Sequence, residues 1–165
     1  MATFRLQAPR FVKSGDGKGP LMEEMTIVAD LIEGELCLKA NNALGACGAD
    51  PTVVTHIMPA ISANVLPGDT LVMPVYIVRP GDVWEMSIYH ATAASAVFAD
   101  TDLDGQADYG VAKPTVDSVT TWTVDKAETT TDVVRVIARV PGYSATDLYP
   151  RVHVQFLEAV CMYQG

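Results

Sequence analysis

Residues 71–89, LVMPVYIVRPGDVWEMSIY, decide the fold class. Two apolar runs, 71–78 and 83–89, are rich in the β-branched and aromatic residues that fit a pleated, half-buried surface. Arg79-Pro80-Gly81-Asp82 stands between them. Proline presets φ at the first central turn position and glycine accepts a positive φ at the second, so the pattern predicts a hairpin. Pro74 has no N–H to give to a ladder, which assigns it to a bulge, a sheet edge or the start of its strand.

The same texture extends in both directions. Upstream, residues 25–29 open a strand, and a Glu33-Gly34 turn leads into residues 35–39, where alternation sets Leu36 and Leu38 on one face and Glu35, Cys37 and Lys39 on the other. Residues 52–61 give a further strand, broken near Pro59, and Leu66-Pro67-Gly68-Asp69 repeats the Pro-Gly turn. Downstream, the Ala-rich residues 90–99 read as an irregular connection, with a short helix as the alternative. Residues 121–125 then alternate Trp122 and Val124 against polar neighbours. In residues 132–140, Val134, Val136, Ala138 and Val140 form one face, and Val133, Arg135, Ile137 and Arg139 form the other. The closing run, 151–157, turns Val152, Val154 and Phe156 inward and His153 outward. Short strands separated by turns, without helical periodicity, define an all-β protein: a small β-barrel or β-sandwich, jelly-roll-like in strand spacing.

The chain has 165 residues, 49% of them apolar, enough for one domain with a real core. We expect a single β domain over residues 26–165, preceded by an extended basic arm, residues 1–25. Arg5, Arg10, Lys13 and Lys18 concentrate in its first 20 residues against Asp16. The arm reads either as a frayed terminus or as a segment ordered against a partner or a neighbouring subunit. A formal net charge of −9 argues against nucleic acid as the main partner. Cys37, Cys47 and Cys161 are odd in number and far apart, so we expect buried thiols in a reducing compartment. The N-terminal residues lack the apolar core of a signal peptide, and no run approaches bilayer length, so the expectation is a soluble protein with no membrane partner.

Chemistry is sparse. Asp100, Asp102, Asp104 and Asp108, with Gly105 at the sixth position, carry part of the spacing with which an EF-hand-type loop wraps calcium. Val111 stands where the bidentate acid would complete the cage, so the competing reading is a polar surface turn capped by its own aspartates. His56, His90 and His153 lie at no metal-ligand spacing, although a cupin-like barrel could bring them together on a metal. Nucleophile elbows, HExxH and phosphate loops are missing from the sequence, and we expect neither an enzyme nor a cofactor.

The order of features resembles the capsid decoration, or cement, proteins of tailed bacteriophages. The resemblance runs from Glu33-Gly34-Glu35-Leu36-Cys37 through PVYIVRPGDVWE, Asp108-Tyr109-Gly110-Val111, Trp122-Thr123-Val124-Asp125-Lys126 and a Val-Arg-Val-Ile strand to Arg151-Val152-His153-Val154-Gln155-Phe156-Leu157. It implies a non-enzymatic virion protein on the outer capsid surface, made in the host cytoplasm. Such a protein is a homotrimer that clamps adjacent copies of the major capsid protein. On that reading Phe4, Arg5, Arg10, Phe11 and Lys13 of the arm, and Arg135, Ile137 and Arg139 of the mixed strand face, are the interface candidates. A calcium-dependent β binding module and a phage tail or fibre component are the alternatives.

Overall fold

A computed structural model describes residues 1–62, 70–104 and 108–161. Its strands are β1 (Arg10–Lys13), β2 (Met22–Ile27), β3 (Leu36–Ala40), β4 (Ala43–Ala46), β5 (His56–Ile57), β6 (Leu71–Ile77), β7 (Val83–Tyr89), β8 (Asp108–Ala112), β9 (Thr115–Val116), β10 (Val119–Thr120), β11 (Thr123–Asp125), β12 (Val134–Arg139) and β13 (Arg151–Phe156). Two short 3-10 turns, Ala93–Ser95 and Asp100–Leu103, are the only helical pieces among the described residues. The protein is all-β, as the sequence predicts.

The strands form two neighbouring units. In the first, β2-β4-β3-β5-β6 close into a five-stranded barrel. In the second, β1-β7-β11-β8-β12-β13 form a sheet, and a further pairing of β13 with β7 brings that sheet back onto itself. Each unit has its own apolar filling. Met25, Ile27, Leu31, Cys37, Leu44, Met58 and Val75 fill the small barrel. The larger core gathers Trp84, Met86, Ile88, Trp122, Val124, Val152, Val154 and Phe156, among others.

The expected hairpin does not form. The turn itself is present, with Gly81 at φ 84° and Asp82 N–H donating to Arg79 O at 3.3 Å. Yet β6 pairs with β2 and β5, while β7 pairs with β1, β11 and β13. A turn with positive φ only at its second central residue does not follow the right-handed twist of paired strands and splays them. The chain therefore leaves the small barrel and enters the larger sheet at Pro80-Gly81. Pro74 lies opposite Glu24 of β2, on a stretch of β6 that β5 does not reach, the sheet-edge position its missing N–H requires. The second Pro-Gly turn, residues 66–69, lies outside the described residues.

Strand β3 is the wall between the two cores. Leu36 belongs to the larger one and Cys37 to the smaller, so both are fully buried and Leu38 is exposed. This corrects the expected common face of Leu36 and Leu38: a wall between two cores buries both sides of its first residues. The strand expected over residues 52–61 is reduced to β5, whose Ile57 faces the larger core; the next residue, Met58, faces the smaller.

The arm lies on its own domain. Phe4 N–H donates to Leu148 O at 3.1 Å, Leu6 is buried with Ala96 and Tyr149, and β1 adds to the edge of β7. The boundary expected at residue 25 falls inside β2, so the end of the arm is already a barrel strand.

Candidate functional site

The four aspartates of the calcium pattern do not converge. Asp100 and Asp102 sit on the 3-10 turn Asp100–Leu103, where Asp102 accepts Ala99 N–H and Lys126 Nζ, each at 2.7 Å. Asp100 pairs with Arg139 at 2.8 Å, and Asp108 takes Nε and Nη2 of Arg135 at 2.7 and 2.8 Å. Asp104 is exposed, and residues 105–107 lie outside the described residues. Three carboxylates are thus spent on three separate cations. No group of three or more His, Cys, Asp or Glu that could hold a metal occurs among the described residues. The histidines are likewise apart: His56 is buried beside Glu23, His90 Nδ1 accepts Thr92 N–H at 2.9 Å, and His153 lies 4.0 Å from Glu85.

The same ion pairs change the reading of β12. Arg135 and Arg139 were expected on an outward face available to a partner. Instead they hold the acidic segment, and Arg139 also donates to Phe98 O and Tyr143 O at 2.8 and 3.0 Å. Arg135 stands directly opposite Asp108 of β8, and a register shift between Val136 and Ala138 marks a bulge at Ile137, which is 40% exposed. Of the three candidates on this strand, Arg135 and Ile137 keep exposed surface, and Arg139 is largely covered.

In the arm, Phe4 meets Tyr143 edge-on with ring centroids 4.6 Å apart, and Phe11 packs against Trp84 and Tyr76 at 5.3 and 6.0 Å. These rings are anchors to the chain's own body, while Arg5 and Lys13 are exposed. Beneath the arm runs a polar seam. Glu85 and Ser87 on β7 share a face with Arg151 and His153 on β13, opposite the face that enters the core. Arg151 is almost fully buried: Nε and Nη2 bind Glu85, Nη1 donates to Gln7 Oε1 at 3.1 Å, and Nη2 donates to Ala8 O at 3.1 Å. Arg10 donates to the other Glu85 oxygen at 2.8 Å. Burial acts to raise the Glu85 pKa, but the Arg10 hydrogen bond and the charges of Arg151 and Arg10 outweigh it and hold the carboxyl below its ordinary value.

A cleft of about 370 Å³ opens between arm residues 7–11 and Glu33, Met58, Pro59 and Tyr76, with Arg151 at its base. Each nitrogen of that buried guanidinium is engaged by Glu85, Gln7 or Ala8, and its charge is met by the Glu85 carboxylate.

What sequence reasoning missed is a set of exposed apolar side chains at the small barrel. Val72 is 59% exposed and faces outward beside Thr26 of β2; Val28 and Ile61 are 47% and 65% exposed. The signal was in Leu71-Val72-Met73, apolar without alternation, which places an apolar side chain on each face of one strand.

The chain matches no family model, and no curated protein or solved structure is significantly similar to it.

Proposed function

We propose that this chain is a non-enzymatic structural subunit that docks on a larger assembly, as a homotrimeric decoration protein on the outer capsid surface of a tailed-phage virion, bound to the major capsid protein. The observation that carries this reading is the set of exposed apolar side chains, Val28, Ile61 and Val72, on a chain of net charge −9. Exposed apolar side chains on a charged protein offer a partner surface that docking would bury. Enzymatic or ligand chemistry has less support, because the charged groups of the candidate sites are satisfied by one another. The bulged Ile137 and the exposed Arg5 and Lys13 supply further shallow contacts, and docking on a repeating shell works through many such contacts multiplied by avidity.

Light scattering together with co-sedimentation on phage heads from the same host tests it. The expected result is three times the 17.7 kDa chain mass and saturable binding to heads, both weakened by Val72→Lys combined with Val28→Lys. A monomer indifferent to heads would overturn the proposal.

A further inference from the structure

The calcium pattern satisfies itself, whereas the cleft between the arm and the small barrel holds polar groups that the fold leaves over. A guanidinium carries five N–H donors. In Arg151, buried at the base of the cleft, four of them have acceptors: Nε donates to Glu85 Oε1, Nη1 to Gln7 Oε1 at 3.1 Å, and Nη2 to Ala8 O and Glu85 O at 3.1 and 3.0 Å. The second N–H of Nη1 has no acceptor among the described residues. Three more lining groups are in the same state. Among the described residues, the Glu33 carboxylate and the Tyr76 hydroxyl make no hydrogen bond or ion pair, and Gln7 uses its side-chain oxygen on Arg151 but not its NH2.

The rest of the lining is apolar. The rings of Phe11 and Tyr76 lie 20° from parallel with centroids 6.0 Å apart, and Met58 and Pro59 continue the surface. Trp84, fully buried, meets both rings edge-on at 5.3 and 5.5 Å and so fixes them before any ligand arrives. A volume of about 370 Å³ where two structural units meet, apolar with a few convergent polar groups, has the size and the place of a small-molecule site.

Charge selects the ligand. Arg10 and Arg151 of the lining are balanced by Glu85, which both of them touch, and by Glu33. An anion would be drawn to the guanidinium groups but repelled by Glu33 on a chain of net charge −9, and a cation drawn to Glu33 would face both arginines. A neutral hydroxyl meets neither repulsion, because it donates to Glu33 and accepts from Arg10, Arg151 and Gln7. We propose that the cleft binds a neutral saccharide, a mono- or disaccharide unit whose hydroxyls take the unused polar groups and whose C–H face packs on Phe11 and Tyr76. Carboxylate and guanidinium groups are planar and offer two hydrogen-bonding positions side by side, which suits a pair of adjacent hydroxyls. The site does not depend on what the protein docks to.

The test is an NMR titration of the whole, isotope-labelled protein. The neutral probes are glucose, cellobiose, lactose and diacetylchitobiose, and glucuronate and glucosamine are the charged counterparts of glucose. We expect saturable shifts of the backbone amides of residues 7–11 with at least one neutral sugar, and weaker binding of both charged ones. Glu33→Ala and Tyr76→Phe remove groups that have no polar partner in the fold, so both variants should melt like the unaltered protein. The first should weaken binding by about tenfold or more, and the second by roughly two- to fivefold. Should either variant fail to fold, the comparison of neutral with charged sugars on the unaltered protein still decides. The proposal is overturned by the absence of saturable shifts with all four neutral sugars at millimolar concentration, by unchanged binding in Glu33→Ala, or by a preference for glucuronate or glucosamine over glucose.

Discussion

Lys113 Nζ lies 2.8 and 2.6 Å from the two carboxylate oxygens of Glu35, a side chain only 2% exposed. Trp122 Nε1 donates to the same carboxylate at 2.7 Å. Glu35 precedes the wall strand β3, whereas Lys113 follows β8 and Trp122 precedes β11, so this one carboxylate ties the small barrel to the larger unit. Removing the cation strands a buried charge, while neutralising the acid leaves an ammonium that is 31% exposed and can turn to water. Lys113→Met should therefore destabilise by about 3 kcal/mol, and Glu35→Gln by less, about 1–2 kcal/mol. Urea unfolding of both variants checks the order, and the reverse ranking would mean the carboxylate is not desolvated.

Gly34 is where the arm meets the small barrel. It has φ 73°, and a Cβ added there would stand 2.5 Å from Pro9 Cδ. Gly17 has the same φ of 73° with nothing within 4 Å, so it isolates the backbone effect. Gly17→Ala should cost about 1–2 kcal/mol at most, the strain of a left-handed alanine. Gly34→Ala should cost more and should speed proteolytic release of residues 1–13, because Pro9 must also move. Equal effects in the two variants would show that the arm does not rest on Gly34.

Individual strands were legible because alternation and β-branched content are local properties; their partners were not. The run before Pro80 reads correctly as a strand, but its partner β2 lies far upstream and the sequence bears no mark of that pairing. Glu35 shows the same limit at a site. Alternation assigns it to the polar face with Cys37 and Lys39, yet the larger unit covers that face at Glu35 and supplies Lys113 and Trp122 from distant segments. Arg135 and Arg139 were visible as cations on a strand. Their acids, Asp108 and Asp100, were visible only as a calcium pattern, and the two motifs satisfy each other.

That mutual satisfaction predicts indifference to calcium. An ion entering the aspartate segment would have to displace Arg139 from Asp100, Lys126 from Asp102 and Arg135 from Asp108. Millimolar calcium, or a chelator, should leave the thermal midpoint unchanged, since only a ligand that prefers the folded state raises it. A calcium-dependent increase that disappears in Asp102→Asn would restore the calcium-module reading.

Glu85 gives the seam beneath the arm a pH signature. Its folded pKa is depressed: burial opposes ionisation, but Arg10 and Arg151 outweigh burial. A depressed carboxylate binds protons more readily in the unfolded chain, so its stabilisation is present above the ordinary value of 4.5 and is lost as pH falls through the folded value. Glu85→Gln should be less stable than the unaltered protein at pH 7, because the nearly buried Arg151 loses its counter-charge. The gap should narrow on acidification. Asp16, Glu23 and Asp147 are depressed as well, but they titrate alike in both proteins and drop out of the difference. Denaturant unfolding at pH 7, 5, 4 and 3 gives two curves that converge below 4.5 if Glu85 is ionised in the seam. Parallel curves would mean that Arg10 and Arg151 do not hold the proton off, and the arm would then depend on Leu6, Phe4 and Phe11 instead of charge.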